Sequence, residues 1–298
     1  MVIRSTEQLF LLSNTSIYSM IVHLIDGTYE LFRHFYGLRR FNKGKDKPLG
    51  ATVGLLHGVL EMIEKGATHL GVATDHIIES FRNKLWPAYK TGEGMEPVLL
   101  AQFHPLEEAL ALMGVVVWPM IDLEADDALA SAAHLAAADS RVDKVCIWTP
   151  DKDLAQCVTE DRVVQINHRS GEIRDERAVF KKFGVSPKLI PDFLALVGDS
   201  ADGYPGISGI GKFGAARLLN QYGPIEAFPK NVLEGQRKQA LLFKHLATLR
   251  TDAPLFEDVN QLQWLGPTPA FAKFTAKAGE PRLLDRAITV AAKLIQST

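Results

Sequence analysis

Seven carboxylates occupy four short segments: Asp26 in LIDGTYELF, Asp75 in GVATDH, Glu124, Asp126 and Asp127 in LEADDALA, and Asp151 and Asp153 in WTPDKDLAQ. Each has an ordinary structural explanation when taken singly. An Asp after a strand caps the next helix, and acids in a first helical turn complement the macrodipole. Taken together they call for more, because like charges gathered on one rim repel and need a cation to neutralise them. Oxygen ligands with no His or Cys cluster nearby favour Mg2+ or Mn2+ over Zn2+. So many acids suit two ions rather than one. A pair of such ions can hold both the attacking and the leaving oxygen of a phosphoryl displacement, and one of them lowers the pKa of a bound water.

The stretch LVGDSADGYPGISGIGKFGAARLLNQYG suggests a second kind of chemistry. Gly206, Gly209 and Gly211 permit tight turns and close backbone approach, and the loop runs into a helix expected over residues 213–222. Exposed N–H groups at a helix N-terminus bind anions, and Lys212 adds charge there, so the segment reads as a phosphate-binding hairpin. A structural turn is the plainer alternative. Asp199 and Asp202, just upstream, extend the carboxylate set, with an Asx-turn as the competing explanation for Asp199.

These residues need elements to carry them. Short apolar, β-branched runs at residues 21–25, 69–74, 115–118, 145–149 and 163–166 read as strands. Between them, residues 29–36, 50–64, 97–113 and 125–138 have helical periodicity. The alternation predicts an α/β fold with a mainly parallel sheet covered on both faces. Ligands of such sheets bind outside the carboxyl ends of the strands, where the acids fall. Past about residue 175 the strands stop, and residues 175–183, 187–197, 213–222, 235–249 and 282–295 read as helices. The expected division is an extension over residues 1–19, poorly ordered and followed by Met20 at the head of the first strand, an α/β core over 20–175, and a helical region over 176–298.

The chain has 298 residues and a formal net charge of −2, so any affinity for nucleic acid must come from local positive charge. Cys146 and Cys157 are too few for a disulfide framework and read as thiols in a reducing cytosol. No apolar run reaches the length of a membrane span, and the first residues lack the pattern of a signal peptide. A cytoplasmic location, a monomeric state and no membrane partner are the expectations.

The same motifs identify a family. LIDGTYELFRHFYG, FRNKLWPAYK, EADDALA, TPDKDLAQCV and LVGDSADGYPGISGIGKFGAARLL occur in the order found in the 5′-nuclease superfamily. The chain resembles the 5′→3′ exonuclease domain of bacterial DNA polymerase I and the flap endonucleases from about Met20 to about Asn260. The resemblance implies a PIN-like three-layer core, an arch at about residues 76–105, and a helix–three-turn–helix module at about 190–222. It carries over Asp26, Asp75, Glu124, Asp126, Asp127, Asp151, Asp153, Asp199 and Asp202 as metal ligands for two Mg2+ ions, with Mn2+ as a substitute. It also places K+ at the carbonyls of Ile207, Gly209 and Ile210. Arg82, Lys84 and Lys90 are the implied catalytic cations, with Arg82 stabilising charge on the phosphate. The implied substrate is DNA with 5′ flaps or free 5′ ends.

For contacts with DNA the candidates are Arg39, Arg40, Lys43, Lys45 and Lys47 in a basic loop, Trp86 and Tyr89 as stacking platforms, and Gly206, Gly209, Gly211 and Lys212 in the hairpin. A solvated loop and packing beneath the arch are the respective alternatives. Two departures stand out: Glu79 replaces the Lys found three residues before the motif Arg, and the acidic run TGEGME follows Lys90. Two other functions fit part of the pattern. A PIN-type RNase shares the acidic sheet edge but lacks the hairpin module, and a catalytically weak branched-DNA-binding protein would have eroded acids.

Overall fold

The computed structural model describes residues 20–42 and 47–297, and the side chains of 38–42 and 295–297 are not described. The extension over residues 1–19, Lys43 and Lys45, and the side chains of Arg39 and Arg40 lie outside the described part.

Strands and helices alternate as the periodicity predicts: β1 (Met20–Asp26), α1 (Gly27–Asn42), α2 (Gly50–Glu64), β2 (His69–Asp75), α3 (Phe81–Leu85), α4 (Pro97–Leu100), α5 (Phe103–Leu112), β3 (Val116–Met120), α6 (Ala125–Ala138), β4 (Val142–Trp148), β5 (Val163–Ile166) and β6 (Ile173–Arg174). The helix expected over 97–113 is broken at Ala101–Gln102, where Gln102 turns inward. Its Oε1 accepts hydrogen bonds from the amides of Ala51 and Thr52 at the start of α2. Helices α7 (Glu176–Phe183), α8 (Ile190–Val197), α9 (Lys212–Tyr222), α10 (Arg237–Ala247), α11 (Phe271–Ala278) and α12 (Pro281–Ser297) follow.

The sheet order is β3-β2-β1-β4-β5-β6. All pairings are parallel except the last, in which β6 runs antiparallel to β5. Alternate side chains serve opposite faces. Val22, Leu24, Val145 and Ile147 pack on α6, whereas Ile25, Val72, Cys146 and Trp148 pack on α1, α2 and α5. Both faces are therefore covered, which gives three layers. Because β2 and β4 flank β1 on opposite sides, the connection leaving β1 toward β2 and the one leaving β4 toward β5 diverge, and a crevice opens at the carboxyl ends of these strands.

A separate core joins α7 to α10 to Tyr89, Ala155 and Val158 of the α/β part. The chain then returns. Trp264, Phe271, Phe274, Leu283, Ala287 and Val290 pack with α2 and α5, so the last helices, expected to belong to the helical region, cover the α/β core instead. Cys146 and Cys157 are free thiols, and burial pushes both up to about 12. No helix among the described residues is long and apolar enough to cross a membrane.

Candidate metal centre

Three adjacent strands place the central acids. Asp26 ends β1, Asp75 ends β2, and Asp151 lies three residues beyond β4. Each is oriented by short hydrogen bonds. Asp26 accepts from the amide of Tyr29 at 2.8 Å and from the Thr149 hydroxyl at 2.9 Å. Asp75 accepts from the amide of Ala125 at 2.8 Å, which ties β2 to the start of α6, and its own amide donates to Thr28 Oγ1. Asp151 accepts from the amide of Asp153 at 2.9 Å. Of the three, only Asp26 caps the helix that follows its own strand; Asp75 bonds instead to the start of α6 and Asp151 to a nearby loop amide.

The helical part supplies the remainder. Asp199 and Tyr204 pair through their backbones across a tight loop. The loop presses against the arch segment: Lys90 N donates to Asp202 O at 3.2 Å, and Trp86 Nε1 donates to Gly203 O at 3.0 Å. Gly203 has φ +81°, and a Cβ there would lie 1.9 Å from the Ala88 carbonyl oxygen, so only glycine allows this approach. In consequence Asp153, Asp199 and Asp202, which come from both parts of the chain, present carboxylate oxygens within 4.8 Å of one another.

The electrostatics bear the mark of crowded anions. Burial, with Asp75 and Asp151 acting in the same direction, pushes the Asp26 carboxyl up to about 7. Burial and then Asp151 and Asp26 raise Asp126 well above the usual carboxylate range. Burial, Asp151 and Asp202 do the same to Asp153, whose buried Oδ1 has no hydrogen-bond partner. Asp202 is raised to about 6, first by burial. Among the described residues two lysines pair with these acids. Lys90 Nζ lies 2.6 Å from Glu124 and 3.9 Å from Asp202, and Lys152 pairs with Asp199. Burial acts to lower the Lys90 pKa, but Glu124, Asp75 and Asp202 outweigh it and hold the ammonium charged. A surplus of hard oxygen donors with raised pKa values and an orphaned buried oxygen fits a site for divalent cations.

Several expected roles need correction. Arg82 is 1% exposed, and all its N–H donors are engaged. Nε donates to Leu246 O, Nη1 to Glu124 and Asp127, and Nη2 to Asp127 and Thr248 O, at 2.7 to 3.2 Å. No donor remains for a phosphate, so Arg82 braces the arch against α6 and the end of α10. Asp127 is likewise engaged by this brace. Both its oxygens face Arg82, and they also accept from the amides of Glu124 and Arg250. Glu124 is held low by Lys90 and Arg82 against the opposing effect of burial, and Ser80 donates to it at 2.7 Å.

Tyr89 is buried, and the half-buried Trp86 packs edge-on against Phe243, so the geometry favours packing beneath the arch over stacking on a base. Gly206 is a packing glycine, since a Cβ there would meet Gly198 N at 2.4 Å. The Ile207 carbonyl accepts from the amide of Ile210 at 3.0 Å. By contrast, Gly209, Gly211 and Lys212 are exposed, and a Cβ on either glycine would meet nothing within 4 Å. Lys84 is exposed on α3, and Lys47 pairs with Glu280 at 3.1 Å. Sequence reasoning missed Thr28, Thr149, Ser80 and Lys152. Of these, Lys152 carried a signal, lying between two acids in PDKD.

Comparison with known proteins gives a consistent result. Residues 21–184 match the family described as 5′-3′ exonuclease, N-terminal resolvase-like domain, and residues 185–270 match 5′-3′ exonuclease, C-terminal SAM fold. The chain is similar to a 5′-3′ exonuclease of Aquifex aeolicus, 36% identical over 73% of this chain and 75% of that protein. It shares its fold with the T5 5′-exonuclease with zinc bound, at a TM-score of 0.62 and 17% identity over 93% of this chain and 98% of that one. It also shares its fold with flap endonuclease-1 from Methanococcus jannaschii, at a TM-score of 0.62 and 18% identity over 98% and 96%.

Proposed function

The chain belongs to the 5′-3′ exonuclease family, and from that premise we propose that it is a Mg2+-dependent, structure-selective nuclease acting on DNA with 5′ flaps or free 5′ ends. The observation that carries this reading is the convergence of separated acids: Asp26, Asp75, Asp126 and Asp151 at the sheet edge, and Asp153 beside Asp199 and Asp202 at the junction with the helical part.

In this reading the first group would hold one ion and the second group another. Bound Mg2+ would supply Lewis acidity at the scissile phosphate and acidify coordinated water. The chain's own residues do the rest. Thr28, Thr149 and the Ala125 amide fix the carboxylates before substrate arrives, which is the preorganisation that electrostatic catalysis needs. Lys90, held charged among the acids, is the cation placed to meet a phosphate oxygen when Glu124 releases it. Arg82 keeps the arch segment seated so that Lys90 stays there. Gly209, Gly211 and Lys212, at the open N-terminus of α9, would hold a duplex phosphate, and K+ at the carbonyls of Gly209 and Ile210 would reinforce that contact. The exposed acids Glu79 and Glu93 make the arch a weak holder of the 5′ strand, so the duplex contacts dominate affinity. The protein acts as a monomer in this account.

The test compares a 5′-labelled flap with a matched linear duplex, in Mg2+ or in EDTA, for the unaltered protein and Asp126→Ala. Faster cleavage of the flap, lost in EDTA and in the variant, is the expected result. Cleavage that survives in either would overturn the metal assignment, and equal rates on both substrates would overturn the flap preference.

A further inference from the structure

A second set of metal-ligating side chains lies outside the carboxylate rim, at the two feet of the arch. His76 directly follows Asp75 at the end of β2, and His104 and Glu107 lie in the first turns of α5. Their ligand atoms fall within 4.8 Å of one another. His76 Nδ1 is 2.7 Å from Glu107 Oε2, His104 Nδ1 is 3.9 Å from the same oxygen, and the two imidazoles meet edge-to-face with centroids 4.3 Å apart. The other Glu107 oxygen accepts from the Thr74 hydroxyl at 2.8 Å, so the carboxylate is already oriented by an outer partner, as ligands in metal sites commonly are.

The donor set differs in kind from the rim. Two imidazoles and one carboxylate suit Zn2+ and similar transition metals rather than Mg2+, and three protein ligands leave a position for water. The set also has an approach from solvent, because the His104 side chain is 67% exposed whereas that of Glu107 is only 10% exposed. We propose that His76, His104 and Glu107 form a Zn2+-class site that clips the two feet of the arch together. The loop it would close, from His76 to His104, contains α3, Arg82 and Lys90, so the clip would fix both ends of the segment that carries the cations of the candidate active site. A cross-link that closes a long loop gains from the loop entropy it removes. The inference stands on this cluster alone and does not depend on the nuclease reading of the rim.

The test is a titration of the full chain with Zn2+, and with Co2+ as a spectroscopic probe, in saturating Mg2+ to fill the rim. The unaltered protein, His104→Ala and Asp153→Asn are compared. His104 is exposed, so its loss leaves the core intact. The expected result is one Zn2+ per chain with imidazole ligation seen by X-ray absorption, and binding at least about tenfold weaker in His104→Ala, the scale on which sites respond even to loss of an outer partner. Asp153→Asn should bind Zn2+ as the unaltered protein does. Equal affinity in His104→Ala, loss of binding in Asp153→Asn instead, or absence of imidazole from the Zn2+ shell would each overturn the proposal.

Discussion

Replacing Arg82 by Met tests the reassignment of this residue from substrate contact to internal brace. The change keeps a flexible, though shorter, side chain and removes the charge and all the donors. Asp127 would then remain as a fully buried carboxylate with only the amides of Glu124 and Arg250 for company. Breaking a buried ion pair by removing one partner destabilises by about 3–5 kcal/mol. For a chain of this size each kcal/mol lowers the melting temperature by about 2–4 °C, so the expected fall is roughly 6–20 °C. Adding Asp127→Asn removes the orphaned charge and keeps an acceptor for one of the two amides, which bond to different carboxylate oxygens. The double variant should therefore be less destabilised than the sum of the single ones, by an interaction of about 0.5–3 kcal/mol. The assays are denaturant unfolding and cleavage measured well below the melting point, where the fraction folded is high. If Arg82→Met melts with the unaltered protein while cleavage collapses, the brace is wrong and Arg82 acts on the substrate.

Three other consequences follow from the geometry. Lys90→Met should lower kcat by about 10²–10³-fold, the scale for losing one preorganised charge donor, with KM little changed; a loss expressed wholly in KM would place Lys90 in binding alone. Gly203→Ala should destabilise by more than about 1 kcal/mol, because the residue is left-handed and its Cβ would strike the Ala88 carbonyl, and unaltered stability would contradict the contact between loop and arch. The part of thermal stability contributed by Mg2+ should grow from about pH 4 to about pH 7. Without metal, Asp26 at about 7 and Asp202 at about 6 lie above their unfolded values near 4. The folded state therefore holds extra protons across that window and loses stability as pH rises through it. His23 and His34, both lowered to about 4 by burial, act in the opposite sense, so the comparison is between Mg2+ and EDTA at each pH, where their effect cancels. A Mg2+ contribution independent of pH would contradict the charged-rim account.

Much of the site could be read in the sequence because strand ends are marked by short apolar runs, and parallel sheets collect ligands at one end. Asp26, Asp75 and Asp151 needed only that rule. The hairpin glycines were harder to separate. Gly206 and Gly209 look alike in GYPGISG, yet one packs against Gly198 and the other faces solvent. Arg82 was misread because a five-residue helix has no periodicity to mark its buried side. Its partners Leu246 O and Thr248 O are also backbone atoms more than 160 residues away. For Trp86 and Tyr89 the sequence left stacking and packing open, because an aromatic beside basic residues fits both, and only the burial of Tyr89 and the contacts of Trp86 with Phe243 and Gly203 favour packing. The final helices showed a buried face without indicating that its partners were α2 and α5.

The central claim is that the acids at the strand ends cage divalent ions. Crystals of the full chain grown with Mn2+ and measured for anomalous scattering address it directly. The account predicts two peaks, one bordered by Asp26, Asp75, Asp126 and Asp151 and one by Asp153, Asp199 and Asp202, with Asp127 still engaged by Arg82. A fully loaded crystal with no peak at these carboxylates would contradict it.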